Sequence, residues 1–169
     1  MKARLETASN VLMILTCITV LGLLAYRGLW PPAGALPRYD RGERLDMSLP
    51  GVTPGRRVVV VKVRSTCEFC TLSMPRFREL LAMSSVPGSG FTVVVAGDET
   101  RATLDDYLRQ NDLMTNNLVD LRGVHAKLAA CPVPYVVIID GTSRVVDSWP
   151  GLITPSRLEQ IRSALNAPN

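Results

Sequence analysis

Val58-Val59-Val60-Val61-Lys62-Val63-Arg64-Ser65-Thr66-Cys67-Glu68-Phe69-Cys70 is the stretch on which the reading of this 169-residue chain turns. Its first half is a short β-branched run with little alternation, the pattern of a strand covered on both faces, and it predicts a strand over Arg57 to Arg64. Its second half sets two cysteines in a C-x-x-C spacing. From Cys67 to Ser84 the pattern becomes helical. Cys70, Met74, Phe77 and Leu81 fall on one face, while Arg76, Arg78 and Glu79 point elsewhere. Pro75 lies inside this helix and is expected to kink it. The two cysteines therefore open a helix that follows a buried strand.

Downstream, Pro87-Gly88-Ser89-Gly90 reads as a loop and Phe91 to Ala96 as a second buried strand. Thr103 to Gln110 reads as a helix with Thr103 as its N-cap, and Gly123 to Ala130 as a short helix. Pro134 to Asp140 is a third strand. Asp140-Gly141-Thr142-Ser143 is a hairpin turn, and Arg144 to Trp149 is the returning strand. Thr154-Pro155 opens a last helix that runs to about Leu165. Strand-helix alternation that ends in a hairpin predicts an α/β fold, a mixed sheet with helices on both faces. No internal repeat is present.

Upstream, Trp30 to Pro37 is Pro- and Gly-rich and reads as an extended linker, and Arg38 to Gly55 as a charged, turn-rich lead-in. Thr7 to Tyr26 is a run of 20 uncharged residues. As a helix it would span roughly 30 Å, the thickness of a bilayer core. Lys2 and Arg4 before it also fit the basic start of a secretory signal, but Ala33-Gly34-Ala35, the small-residue site cleavage would need, lies behind Arg27, Trp30, Pro31 and Pro32. An uncleaved anchor is the preferred reading, with Cys17 a free thiol in its helix. Basic residues flank both ends of the run, so the charge pattern does not orient it. The expected organisation is an anchor over 1–29, a linker and lead-in over 30–55, and a globular domain over 56–169.

The net charge of +4 comes from sixteen arginines and three lysines, scattered among acids, and aromatics are 5%. That is not the dense basic stripe with interleaved aromatics of a nucleic-acid groove, so no nucleic-acid partner is expected. Four cysteines are too few to staple a domain of this size. With one in the apolar run and two in C-x-x-C, they point to chemistry.

At the first turn of a helix, Cys67 occupies the exposed end and Cys70 lies about one turn in. The amino end of a helix favours an anion, which makes Cys67 the thiolate that attacks in disulfide exchange, with Cys70 the resolving thiol. Glu68 places a negative charge beside that thiolate, which favours the disulfide form and reducing behaviour. Phe69 offers an apolar face to a protein partner. The competing use of C-x-x-C is a zinc site, but the remaining ligands would have to be Cys131 and His125, the only histidine, and these are not in ribbon spacing. No metal and no cofactor are expected. A peroxiredoxin-type peroxidase would need a proline and a threonine ahead of the reactive cysteine; Thr66 abuts Cys67, but Val60 lies where the proline would be. Metal content and peroxide consumption discriminate these alternatives.

The strand, then Ser65-Thr66-Cys67-Glu68-Phe69-Cys70, then Pro75 five residues after the second cysteine, resembles the thioredoxin superfamily. So does Val133-Pro134 ahead of a strand ending Ile139-Asp140-Gly141, with Gly151 after the returning strand. The resemblance covers roughly Arg56 to Leu165. Within the superfamily, the tether, the acidic residue after the first cysteine and the Asp-Gly turn are similar to TlpA/ResA-type extracytoplasmic proteins, in which a Cys-Glu-x-Cys dithiol serves as a reductant, in some of them for cytochrome c maturation. The resemblance implies a thioredoxin-like mixed central sheet with helices on both faces, preceded by one transmembrane helix. It implies an enzyme that exchanges with a protein disulfide or dithiol on the extracytoplasmic (periplasmic) side of a membrane. It also implies a cis Val133-Pro134 bond beside Cys67, with the Val133 backbone pairing with a bound substrate strand, so that Val133, Pro134, Glu68 and Phe69 line the substrate groove. Three positions depart from the pattern: Thr66 replaces the usual aromatic, Phe69 the frequent proline, and Val61 the buried acid of thioredoxin proper. Proton transfer at Cys70 must then use another group or water, and a partner-specific role fits better than a general one.

Other residues have ordinary readings. Cys131, three residues before Pro134, is a small half-buried residue or a partner for Cys67 at the groove rim. Lys62 interrupts the valine run, either beneath the dithiol or, as lysines usually do, at the strand end with its ammonium in water. His125 reads as a surface or packing residue and Trp149 as core. Glu79 and Asp98 have no evident partners.

Overall fold

The computed structural model describes residues 13, 15–22, 36–45, 55–123 and 125–167. The chain divides into two units, Met1–Ala35 and Leu36–Asn169. In the first, residues 15–22 are helical and Cys17 is exposed. Most of the expected anchor and much of the linker and lead-in (residues 30–35 and 46–54) lie outside the described residues. Among those described, no helix is long and apolar enough to cross a membrane.

The second unit is built on a five-stranded sheet in the order β3-β2-β1-β4-β5. The strands are β1 Arg57–Lys62, β2 Phe91–Gly97, β3 Leu118–Asp120, β4 Tyr135–Ile139 and β5 Val145–Pro150. β1 runs parallel to β2 and antiparallel to β4; β3 is parallel to β2, and β5 antiparallel to β4. The helices are α1 Glu68–Ser84, α2 Arg101–Gln110, α3 Ala126–Ala130 and α4 Pro155–Asn166. Every residue of β1 is buried, as the unalternating valine run predicts. Successive side chains point to opposite faces. Val59, Val61 and Val63 join the core under α1, α2 and α4, with Phe77, Leu108 and Ile161. Val58 and Val60 join a second core with Leu128 of α3 and with Tyr39 and Leu45 of the lead-in. Helices therefore cover both faces, as expected from the sequence.

The lead-in is more than a turn-rich spacer. Gly42 N donates to Val145 O (2.8 Å), Val145 N to Glu43 O (2.8 Å), and Leu45 N to Ser143 O (2.8 Å). These bonds pair the backbone at the start of β5 on the side away from β4.

Several boundaries shift for local reasons. α2 begins at Arg101, because Thr100 rather than Thr103 is the N-cap: the Thr100 hydroxyl accepts from Thr103 N (3.1 Å). On α1 the fully buried residue of the fourth turn is Leu80, while Leu81 only packs partly against the core. α1 continues through Pro75, which is exposed. The short strand β3 has no counterpart in the sequence reading; three residues give no period to read.

The Asp-Gly turn is present, but its glycine serves a different purpose from the one a hairpin suggests. The left-handed residue is Ser143, at φ 65°. A Cβ added at Gly141 would lie 2.7 Å from Gly55 N and 2.8 Å from Gly55 Cα. The glycine is needed because another backbone passes against it. Gly141→Ala is therefore expected to destabilise the fold by about 1–3 kcal/mol, the usual range for overpacking. Urea unfolding checks this, and an unchanged midpoint would show that the two loops separate freely.

Candidate active site

Both cysteines sit where β1 hands over to α1. Cys67 is the N-cap of α1, with extended backbone. Its sulfur accepts from Cys70 N (3.1 Å), and its carbonyl accepts from Cys70 N (3.0 Å) and Thr71 N (3.2 Å). The Cys70 amide, an orphan donor of the helix start, thus points at the Cys67 sulfur. Cys67 is half-buried, whereas Cys70 is fully enclosed. Burial pushes the Cys70 thiol far above the ordinary range, its hydrogen bond with Cys67 adds to this, and the Arg64 backbone N–H opposes it. The outer sulfur can be reached and the inner one is held protonated, the division of labour between an attacking and a resolving thiol. Val61, where thioredoxin proper carries an acid, is wholly buried and apolar.

The loop before Cys67 is fastened by two acids from the β2–α2 connection. Arg64 Nε donates to Asp98 Oδ1 (3.2 Å), and a second guanidinium nitrogen pairs with Oδ2. Ser65 donates its amide to Glu99 Oε2 (2.7 Å) and its hydroxyl to Oε1 (2.5 Å). The Arg64 guanidinium holds the Asp98 carboxyl below the usual carboxylate range. Sequence reasoning left Asp98 without a partner and did not single out Glu99, since the partners are 34 positions away. One signal was available. Asp98-Glu99 follows the carboxyl end of the second predicted strand, and a strand-helix-strand unit puts that end beside the dithiol.

The loop into β4 lies at the same end of the sheet as the dithiol, since Lys62 pairs with Tyr135. The Val133–Pro134 bond is cis, as the resemblance implied. Val133 and Cys67 both pack against the core under α1. Pro134 O accepts from Gly151 N (2.8 Å), where Gly151 takes a φ of +81°. Two residues on, Ile153 N donates to Ser73 Oγ (3.1 Å), and Ser73 Oγ donates to Phe69 O (2.7 Å). Buried Ser73, not singled out in the sequence, thus ties the dithiol helix to the Gly151 loop, which in turn holds the cis-proline loop. Glu68, Phe69 and Leu72 project into solvent on the outer side of α1, with Phe69 and Leu72 each 57% exposed.

Other expectations fare differently. Lys62 does not reach water. It is 0% exposed, and its Nζ donates to Ala129 O (2.6 Å) and Cys131 O (2.7 Å). As an even-numbered residue of β1 it points to the face of α3, away from Cys70, and the stem has no exit there. Cys131 is also buried on that face, in the core of Leu128 and Tyr135, with its thiol donating to Lys127 O (3.3 Å). It is a packed small residue and not a groove-rim partner for Cys67. Trp149 is core, its indole donating to Gln160 Oε1 (3.2 Å). His125 precedes α3 without making a side-chain cap. Glu79 does have partners, in Arg162 and Arg76. Among the described residues, no group of three His, Cys, Asp or Glu side chains could hold a metal ion.

No protein-family model matches the sequence, and no curated protein does. Solved structures match it by fold. A chain assigned as thiol:disulfide interchange protein DsbE from Chlorobium tepidum superposes with a TM-score of 0.59 at 23% identity, covering 76% of this chain and all of its own length. The fold is thioredoxin-like. StoA from Bacillus subtilis matches the thioredoxin-like domain at TM-score 0.55 and 16% identity, over 78% of this chain and 98% of its own. The exposed lipoprotein thioredoxin Etrx1 from Streptococcus pneumoniae matches at 0.52 and 20%, over 66% of this chain and 84% of its own. In the thioredoxin-like domain described here, the dithiol at the start of α1 and the cis-proline before β4 lie at the same end of the sheet.

Proposed function

We propose that the chain is a thiol–disulfide oxidoreductase acting on a disulfide in a polypeptide. The observation that carries this reading is the half-buried Cys67 sulfur at the amino end of α1, set outside a fully buried Cys70 on the core that Val133 shares. The Cys67 thiolate attacks one sulfur of the substrate disulfide. That S–S bond breaks, a mixed disulfide forms, and one substrate thiolate leaves. Cys70 then attacks the Cys67 sulfur, its proton passing through water to a departing substrate thiolate, and the second substrate thiolate is released. Two electrons pass to the substrate, and Cys67 and Cys70 end as a disulfide. The names borne by the fold neighbours, thiol:disulfide interchange protein and lipoprotein thioredoxin, point the same way.

Glu68, exposed next to Cys67, sets a negative charge beside the dithiol and supports the reducing direction. Val133 and Pro134 present backbone for a substrate strand, and Phe69 an apolar contact. The uncharged run from Thr7 to Tyr26 supports a membrane tether, and the resemblance to TlpA/ResA-type proteins, not the flanking charges, supports an extracytoplasmic domain. The deciding experiment is a trap. Cys70→Ser cannot complete the second step, so it accumulates a mixed disulfide through Cys67 with its polypeptide substrate, visible on non-reducing gels and released by dithiothreitol. Absence of any such adduct sinks the reading. Equilibration of the Cys67/Cys70 couple with glutathione tests the direction, and a strongly oxidising potential overturns the reductant assignment. Carbonate extraction of membranes tests the tether: a chain released into the wash is not anchored.

A further inference from the structure

A lysine with no exposed surface is rare unless its ammonium is fully employed. Lys62 is such a residue, and nothing in the exchange chemistry uses it. Its placement in the fold is what gives it meaning. Its Nζ reaches two carbonyls at the carboxyl end of α3, those of Ala129 (2.6 Å) and Cys131 (2.7 Å). The last carbonyls of a helix have no partners within it, and a cation there is favourable. In the sheet, Lys62 is also the register partner of Tyr135, the first residue of β4. Between these two attachments run only Pro132, Val133 and cis Pro134. One residue therefore holds both feet of the loop that carries the groove, and it does so from the strand that ends at the dithiol. Its side chain lies on the opposite face of the sheet from Cys70, so it acts on the loop and not on the sulfurs.

We infer that Lys62 is a positioning residue for substrate capture, fixing the Val133–Pro134 backbone in register with the dithiol so that an extended polypeptide disulfide can dock. This rests on the exchange reading above. A small soluble disulfide needs only Cys67 and not a docked strand, so the two kinds of substrate separate the roles.

The test uses the full chain and measures reduction of insulin and of hydroxyethyl disulfide. Lys62→Met keeps the apolar stem and removes the ammonium. Its kcat/KM for insulin, relative to that for hydroxyethyl disulfide, is expected to fall about tenfold, with the loss in KM. The Gly151 amide, bonded to Pro134 O, is expected to exchange faster with solvent in the variant while amides of α4 do not. Pro132→Gly loosens the same loop and leaves Lys62 in place, so it decides the matter if Lys62→Met does not fold; the same KM signature is expected. Equal losses on both substrates, or an unchanged ratio, overturn the inference. A wild-type chain that reduces neither substrate instead removes the exchange reading itself.

Discussion

Cys67→Ser is expected to lower disulfide exchange by at least about a thousandfold, since no other reachable sulfur lies at a helix start to replace the nucleophile. The companion measurement is alkylation of the reduced protein by iodoacetamide with peptide mapping. In the wild type, modification is expected at Cys67 and not at Cys70. In Cys67→Ser, Cys70 is expected to react at least about a hundredfold more slowly than Cys67 does in the wild type, because only the exposed thiolate is an effective nucleophile. Burial acts twice here: Cys70 is 0% exposed, and its desolvation holds the thiol up. Mapping is needed because Cys17 is a further free cysteine, while Cys131 is shielded on the other face of the sheet. A Cys70 alkylated as fast as Cys67 would remove the distinction between attacking and resolving thiols.

The same distinction explains what was legible in the sequence. The valine run, the C-x-x-C spacing and the helical face after it are local signals, each set by neighbours a few residues away. They located β1, α1 and the order of the two sulfurs. Val133-Pro134 was legible only through family resemblance, since nothing in three residues specifies a cis bond facing a helix far back in the chain. Lys62 was misplaced because its destination depends on α3, a five-residue helix whose carbonyls fill the space the ammonium would otherwise leave by. Its parity on β1 was readable; what occupies that face was not. Glu79 and Asp98 were unpartnered for the same reason, as Arg162 and Arg64 approach them through tertiary packing. Gly141 was correctly placed in a turn, yet its requirement comes from Gly55, a contact between distant loops.

α1 carries two phenylalanines whose opposite fates test how this helix divides between fold and partner. Phe77 is 1% exposed in the core formed with Met74, Leu80 and the odd-numbered valines of β1. Phe77→Ala removes a ring from a site bounded by strand and helix on several sides, and is expected to cost about 3–5 kcal/mol. The lowered denaturation midpoint should appear in the reduced and disulfide forms alike, because the loss is one of packing. Phe69, two helical turns earlier and between the cysteines, is 57% exposed beside the equally exposed Leu72. Phe69→Ala is expected to leave stability within about 0.5 kcal/mol, as for surface positions generally. It should instead raise KM for a polypeptide disulfide several-fold, roughly the 1 kcal/mol that an exposed aromatic contributes when a partner covers it. Reduction of a small disulfide gives the reference rate, and the chemistry at Cys67 is not expected to change much with the ring gone. Should Phe69→Ala prove as destabilising as Phe77→Ala, the outer face of α1 belongs to the fold and the partner must dock elsewhere. If neither stability nor KM moves, the substrate is held by the Val133–Pro134 backbone alone.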